Sequence, residues 1–372
     1  MIKVHHIADW WWNRQRRRTQ RHGNANGVLL ISSGGLGDTV LFAHVVERFQ
    51  ALAQEDEPVT VLLRSDAMKM AFLLPSGVAA KGVDFKRLRK YLAYRREVTD
   101  EIFNANYRVL VHTDYLRHPD LDEALVAAAF ADEAVAMEPR PWRKYDTRLN
   151  RNRNLYGRLF ESGPANLNKV LRWSAFADWL VGAEGPPPRA ILPESDLPPP
   201  ANDGPAVIIQ PFSAVKRKQS PPALYRRIIE NLAPGTRVAL TGTQGDLEEN
   251  SDFQSLLDMP GVEFDSSNFQ DLVPKLRAAK LVISVDTALM HLAVAVGAPT
   301  LCLASAAYVG EIVPYDSAIT PEYTRFIYHS MPCEGCLGNC ILPSEDGMFP
   351  CVARLGEVEV MTQVSEILSD SR

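Results

Sequence analysis

The chain of 372 residues has no long uninterrupted hydrophobic run. Its longest apolar stretch, residues 281–305, is broken by Asp286, His291, Gly297 and Pro299, which argues against a membrane-spanning helix. The three consecutive tryptophans near the N-terminus lack the apolar core of about 7–15 residues that marks a signal peptide. We therefore expect a cytoplasmic protein.

An excess of positive charge is also missing. The formal net charge is −5, which excludes a generally basic protein that coats nucleic acid, and we expect no nucleic-acid partner. Hydrophobic residues make up 46% and charged residues 23%, as in globular domains, and the length suits two domains. Positive charge is nevertheless concentrated: residues 1–22 carry six Lys or Arg and residues 139–158 carry seven, each set with one acid. Such patches indicate an anionic partner.

Residues 1–26 combine this positive charge with the three tryptophans. Tryptophan rings and arginine cations suit the interface of an anionic membrane, so peripheral contact with the inner membrane face is one interpretation. The other is a disordered or locally packed tail, since a single interfacial anchor binds weakly.

Two α/β halves follow along the chain. In the first half, strands are predicted at residues 28–32, 59–63 and 108–112, with helices at 39–49 and 124–130. In the second half, strands are predicted at 206–210, 237–241, 281–285 and 300–303, with helices at 222–232, 272–279, 288–296 and 358–368. Strands that alternate with helices predict parallel, doubly wound sheets.

Eight prolines between residues 186 and 205 separate the halves, because proline fits neither a helix interior nor a central strand. The predicted organisation is a tail, an N-terminal domain, a linker, a C-terminal domain and a final helix. Their predicted bounds are 1–26, 27–185, 186–205, 206–356 and 357–372.

A glycine-rich turn, Ser33-Gly-Gly-Leu-Gly-Asp38, follows the first predicted strand. Glycines there let the backbone approach a ligand closely. The turn is not a G-x-G-x-x-G fingerprint, because Val40 stands at the third glycine position, and no Gly-Lys-Ser/Thr follows to make a P-loop. A nicotinamide cofactor is therefore a poor fit.

The most informative stretch is residues 281–291, an apolar strand that ends at Asp286 and runs directly into a helix. We predict that Thr287 accepts a cap hydrogen bond, and that the first-turn N–H groups make a seat for phosphate. His291 follows about one turn later. The corner resembles the Asp-Thr-Gly-(Leu)-x-His hallmark of family 9 glycosyltransferases, the heptosyltransferases of lipopolysaccharide assembly, with Ala288 in place of glycine.

The resemblance covers about residues 27–356 and implies the GT-B architecture, an α/β fold of two Rossmann-like doubly wound domains that face a central cleft. It implies inverting transfer of a sugar, heptose from ADP-heptose, onto a lipopolysaccharide-core-type glycolipid. No cofactor and no metal ion would be required.

The Asp38 turn resembles the N-terminal signature of the family, Ser-x-x-Gly-Asp, whose aspartate is the proposed catalytic base. A carboxylate at that position would take the proton of the acceptor hydroxyl as it attacks the sugar. The alternative is a helix-cap carboxylate that satisfies first-turn N–H groups.

Donor contacts are implied by the same resemblance. Lys218 matches the family lysine that neutralises the leaving diphosphate, with Ser213 beside it, although Gln210 and Phe212 depart from the His-Pro-Gly pattern. Asp246 would hold ribose hydroxyls. The alternatives are a solvated basic loop for Lys218 and an N-cap role for Asp246.

At the strand-to-helix corner of residues 281–291, Asp286 would bind sugar hydroxyls while the amides of Thr287, Ala288 and Leu289 hold phosphate. His291 would either contact the ligand or brace the corner. The basic run at 139–158 would hold the anionic acceptor. We expect the contacts from Arg143, Lys144, Arg148 and Arg151.

Four of the five cysteines lie within 19 residues, at positions 333, 336, 340 and 351. Zinc or iron ligation is chemically reasonable, but the spacing is not two Cys-x2-Cys pairs, and structural thiols are the favoured interpretation. Two alternatives to glycosyl transfer remain. One is a sugar-nucleotide epimerase of similar architecture, and the other is a non-catalytic GT-B scaffold or metal-dependent interaction module.

Overall fold

A computed structural model describes residues 4–21 and 23–370. The first three residues of the predicted tail, His22 and the last two residues of the predicted final helix lie outside this description. The chain divides into two units. The N-terminal unit runs to Ala165 and includes Val170–Pro186, and the C-terminal unit comprises Asn166–Lys169 and the chain from Pro187 onward.

The N-terminal unit is built on a six-stranded parallel sheet. Its strands are β1 (Val28–Ser32), β2 (Val59–Arg64), β3 (Val78–Val83), β4 (Val109–His112), β5 (Glu133–Met137) and β6 (Arg158–Phe160). Its helices are α1 (Val4–Arg16), α2 (Leu36–Ala43), α3 (Val46–Gln50), α4 (Phe85–Lys90), α5 (Leu92–Asn104), α6 (Asp122–Ala129), α7 (Asp146–Asn152) and α8 (Lys169–Val181). The strand order is β3-β2-β1-β4-β5-β6.

The C-terminal unit repeats this architecture. Its strands are β7 (Val207–Gln210), β8 (Val238–Thr241), β9 (Val262–Asp265), β10 (Leu281–Val285), β11 (Thr300–Leu303) and β12 (Thr324–Ile327). Its helices are α9 (Pro222–Glu230), α10 (Gln244–Glu249), α11 (Phe269–Ala278), α12 (Ala288–Ala295), α13 (Pro350–Ala353) and α14 (Glu357–Asp370). The order β12-β11-β10-β7-β8-β9 is the same as in the first sheet, read from the other edge.

In each sheet the chain leaves in one direction after its first strand and in the other after its third. The reversal lies between β1 and β4 in the N-terminal unit and between β7 and β10 in the C-terminal unit. Open parallel sheets bind ligands beyond the carboxyl ends of the strands at this switch point. Ligand-binding residues are therefore expected in the loops that follow these four strands.

The central strands form because their residues are apolar on both faces. Every residue of β1, β4, β10 and β11 is buried, as expected for a parallel sheet covered by helices on both sides. The predicted α/β fold of two doubly wound sheets is confirmed. Among the described residues, no helix is long and apolar enough to cross a bilayer.

One prediction on local structure is wrong, and strands β3, β5, β6, β9 and β12 were not predicted. The predicted helix 39–49 is interrupted at residues 44 and 45, so α2 and α3 are separate. Strand β3 was not predicted, because its sequence, Val-Ala-Ala-Lys-Gly-Val, is small and polar at the sheet edge and lacks an apolar pattern. Residues 4–16 of the predicted tail form helix α1.

A salt bridge at the start of β1 and β4 ties the sheet to its loops. The guanidinium of Arg108 donates to both carboxylate oxygens of Glu57, and the Gly27 N–H donates to one of them at 2.7 Å. The hydrogen bond from Arg108 lowers the pKa of Glu57 to about 2. Glu57 is therefore ionised at neutral pH and stabilises this loop.

Candidate active site

In the turn after β1, the Asp38 side chain contacts the backbone of the preceding glycines. The Gly35 N–H donates to the Asp38 carboxylate at 2.8 Å, and Asp38 is the third residue of α2. A Cβ on Gly34 would lie only 2.5 Å from the Asp38 Cβ, so glycine is required there. The helix-start contact that was the alternative for Asp38 is thus present, and its role as a base stays a prediction.

Arg64, the last residue of β2, carries a guanidinium toward this turn. The guanidinium donates twice to Asp66, at 2.6 Å each, and would lie 3.4 Å from a Cβ on Gly35. Asp66, and to a lesser extent Asp38, raises the pKa of Arg64. The Asp38 carboxylate and the permanently charged Arg64 guanidinium are therefore near each other at the carboxyl ends of β1 and β2.

A buried polar network, not predicted from the sequence, holds the same turn from the β4 side. The Ser33 N–H and hydroxyl donate to one Asp114 oxygen at 2.6 and 2.7 Å. His112 Nε2 lies 3.3 Å from the Asp122 carboxylate, which also accepts the His118 N–H at 2.8 Å. Burial raises the pKa of Asp114. The sequence signal was His112-Thr-Asp114 at the end of a buried strand.

At the switch point of the C-terminal sheet, Lys218 and Asp286 form a buried ion pair. Lys218 Nζ donates to the Asp286 backbone carbonyl at 2.7 Å and lies 2.7 Å from a carboxylate oxygen. The side chains are 9% and 6% exposed. The ammonium also sits 4.7 Å from the centroid of the Tyr308 ring. A solvated loop is therefore wrong for Lys218, whereas its neighbour Lys216 is exposed.

The pair stands where α12 begins. Thr287 is the N-cap residue of α12, but its side chain makes no cap hydrogen bond, so that prediction is wrong. No cap side chain therefore occupies the first-turn amides of Ala288 and Leu289, which are the donors a phosphate group would use. His291 is buried, with Nδ1 2.5 Å from the Tyr315 hydroxyl and the two rings stacked. That contact braces the corner, and a ligand contact by His291 stays a prediction.

The remaining donor candidates follow β7, which pairs with β10, and β8, which pairs with β7 on its other side. Ser213 is half-buried, and its hydroxyl accepts the Val215 N–H at 3.2 Å. Asp246 accepts from the Thr243 N–H and hydroxyl at 2.8 and 2.6 Å, and Thr243 is the N-cap of α10. The alternative of Asp246 as the N-cap residue is wrong. Thr243 is the N-cap, and Asp246, three residues later, is its partner in a capping box.

The chain's similarities to known proteins agree with this geometry. Residues 185–333 match the family model described as glycosyltransferase family 9 (heptosyltransferase). This matched stretch covers less than half of the chain, and it is similar to family 9 glycosyltransferases. A comparison with curated proteins gave no match.

Solved structures of this family share the fold. A family 9 glycosyl transferase from Veillonella parvula aligns with a TM-score of 0.67 at 15% identity, over 93% of this chain and 98% of that one. E. coli heptosyltransferase WaaC with ADP-2-deoxy-2-fluoro heptose aligns at 0.65 and 17%, over 93% and 99%. E. coli ADP-heptose lps heptosyltransferase II aligns at 0.62 and 15%, over 92% and 99%. At such identities the likeness shows the fold, which is GT-B.

The basic residues that were predicted to bind the acceptor are of two kinds. Arg143, Lys144 and Arg151 are exposed. Arg148 is half-buried and donates to Asp120 at 2.8 Å, and burial lowers its pKa. Arg148 is therefore committed to the protein's own carboxylate, unlike the other three.

The four clustered cysteines surround one small cavity together with apolar side chains such as Met331 and Phe349. A tetrahedral zinc site holds sulfurs about 3.8 Å apart, given Zn–S distances near 2.3 Å. Within residues 4–21 and 23–370, no three of these sulfurs lie within 4.8 Å of one another. Burial raises the pKa of Cys333 and Cys351, which favours neutral thiols.

Proposed function

We propose that the chain is a family 9 glycosyltransferase, and that it transfers heptose from ADP-heptose, with inversion, onto an anionic acceptor of the lipopolysaccharide-core type. The observation that carries the proposal is the buried Lys218 ammonium beside the first turn of α12. A fixed cation next to free helix amides is a site for a diphosphate. The similar E. coli WaaC structure with ADP-2-deoxy-2-fluoro heptose supports an ADP-linked donor.

At the donor, Lys218 supplies positive charge where negative charge develops. As the bond between the sugar's anomeric carbon and the diphosphate oxygen breaks, charge accumulates on ADP. Asp286 keeps the ammonium in place, and the 2.7 Å bond to the Asp286 carbonyl fixes its direction. A preorganised cation pays no reorganisation at the moment of reaction, so transfer proceeds without a divalent ion.

At the acceptor, Asp38 takes the proton. The acceptor hydroxyl attacks the anomeric carbon on the face opposite to ADP, its proton passes to the Asp38 carboxylate, and the anomeric configuration inverts. The contact with the Gly35 N–H orients the carboxylate, and the Arg64 guanidinium lies close to the same turn.

Acceptor binding falls to Arg143, Lys144 and Arg151, the exposed members of the basic run. Guanidinium groups hold phosphates and carboxylates with paired, charge-assisted hydrogen bonds. Arg148 contributes indirectly, because its ion pair with Asp120 holds α7 in position.

Thermal shifts with ADP, UDP and GDP test the donor. ADP at about 100 times its dissociation constant should stabilise the protein by about 2.7 kcal/mol, and UDP and GDP by much less. Lys218→Ala should abolish the ADP shift, whereas Lys216→Ala, an exposed lysine of the same loop, should keep it. Equal shifts with all three nucleotides, or an ADP shift that survives Lys218→Ala, would contradict the proposal.

A further inference from the structure

Helix α1 is attached to the N-terminal unit mainly by polar side chains. His5, Asp9, Trp12 and Arg16 recur at helical spacing and face the protein. Arg95, which is fully buried, donates to both Asp9 oxygens. The polar face of this helix is therefore the inner one.

His6 and Arg16 add to this attachment at the two ends of the helix. The His6 ring lies 2.8 Å from the buried Asp120 carboxylate, and Arg16 donates to Thr99 and Asp100 at 2.6 and 2.7 Å. Paired, buried charges hold a helix firmly, because separating them leaves an uncompensated charge. Helix α1 is thus a fixed part of the unit.

The exposed side of α1 carries four large apolar side chains, with Arg14 and Gln15 beside them. Val4, Ile7, Trp10 and Trp11 are 69%, 62%, 63% and 48% exposed. Helices of globular proteins normally bury such a stripe and expose the polar one. A contiguous apolar stripe that a well-anchored helix presents to solvent marks an interaction surface.

Cations border this stripe. The Arg14 guanidinium lies 5.7 Å from the centroid of the Trp10 ring. An open cavity of about 400 Å³ beside the stripe is lined by His6, Ile7, Trp10, Arg148, Arg151 and Asn152. Asp9, the acid within α1, is paired with Arg95 and does not offset these charges. We call Val4, Ile7, Trp10, Trp11, Arg14 and Arg151 the Trp–Arg surface.

We infer that the Trp–Arg surface docks the protein on the anionic surface of a lipid bilayer. Tryptophan rings rest at the headgroup level, the two aliphatic side chains enter the acyl boundary, and arginines pair with lipid phosphates. Helix α1 has 13 residues and lies in the interface without crossing it. The inference does not depend on the proposed sugar transfer, because docking needs no donor.

Vesicle co-sedimentation at low salt, without nucleotide, tests the inference. The wild-type protein should bind vesicles of phosphatidylcholine with 30% phosphatidylglycerol far better than pure phosphatidylcholine. Trp10→Ala/Trp11→Ala should weaken the partition at least tenfold, as expected when two interfacial rings are lost. Arg14→Gln should weaken it about fivefold, which corresponds to about 1 kcal/mol for one cation. Raised salt should reduce binding.

The chain offers a matched control. Trp179 is another exposed tryptophan of the N-terminal unit, and the Arg158 guanidinium lies 5.1 Å from its ring. The variants Trp179→Ala and Arg158→Gln remove the same chemistry elsewhere and should leave vesicle binding unchanged.

Three results would overturn the inference. They are no binding to anionic vesicles, equal binding to neutral and anionic vesicles, and equal loss in the control variants. Light scattering of the free protein supplies a further check. A dimer that Trp10→Ala/Trp11→Ala dissociates would show that a second copy covers the stripe, and would likewise overturn membrane docking.

Discussion

The ion pair between Lys218 and Asp286 makes a quantitative prediction about stability. Removal of one member of a buried pair leaves the other charge uncompensated, which costs about 3–5 kcal/mol. Because the two side chains are 9% and 6% exposed, water cannot replace the lost partner. Lys218→Met and Asp286→Asn should each lower the free energy of unfolding of the C-terminal unit by about 3–5 kcal/mol.

The double variant Lys218→Met/Asp286→Asn should cost no more than one single variant, because it leaves no charge unpaired. The double-mutant cycle should therefore give a coupling energy of about 3 kcal/mol. Single effects that add up in the double variant would refute the pairing.

Urea unfolding, followed by two spectroscopic signals, measures the stability of the C-terminal unit and uses the N-terminal unit as the control. All six tryptophans, at 10, 11, 12, 142, 173 and 179, lie in the N-terminal unit, so their fluorescence reports that unit alone. Far-UV circular dichroism reports both units. The variants should shift the circular dichroism transition and leave the midpoint of the tryptophan transition in place.

Donor binding separates the two partners further. Asp286→Asn keeps the ammonium and should keep the thermal shift with ADP, whereas Lys218→Met should lose it. A loss of the ADP shift in both variants would mean that ADP binding needs the intact ion pair and not the ammonium alone.

Three further predictions follow from the N-terminal unit. Asp38→Asn should lower turnover by about 10²–10⁴ and leave ADP affinity unchanged, and steady-state kinetics at wild-type rates would remove Asp38 as the base. Glu57 has a pKa of about 2 instead of 4.5, so its ion pair stabilises the fold fully above pH 4.5 and loses its contribution of about 3 kcal/mol as the pH falls toward 2. Glu57→Gln should flatten acid unfolding over this range, and an unchanged pH profile would argue against the pair. Neutralisation of Arg143, Lys144 and Arg151 together should raise the acceptor KM and reduce its salt dependence at constant donor affinity, and an unaltered KM would leave these residues as solvated charges.

The sequence predicted the central strands closely because they are apolar along their whole length. Strands 28–32, 281–285 and 300–303 agree with β1, β10 and β11 to the residue. Edge strand β3 was not predicted, because its small and polar residues show no alternation of apolar and polar positions. Helix α1 was not predicted. Its polar residues face the protein and its large apolar residues face the solvent, which is the reverse of the usual arrangement.

The candidate site was predicted in part for a similar reason. Asp38, Lys218 and Asp286 follow buried strands, so their position at the sheet edge was visible from the order of the chain. Their partners were not visible, since the pairing of Lys218 with Asp286 spans 68 residues. The Ser33–Asp114 bonds likewise depend on the pairing of β1 with β4, which no local pattern encodes.

Acceptor-dependent release of ADP from ADP-heptose tests the central claim most directly. With an inner-core lipopolysaccharide acceptor and no divalent ion, the protein should release ADP in step with formation of an inverted glycosidic bond. Asp38→Asn and Lys218→Ala should both suppress this release. Binding of ADP-heptose without any release of ADP, in the presence of such acceptors, would contradict glycosyl transfer and would indicate a scaffold of the same fold.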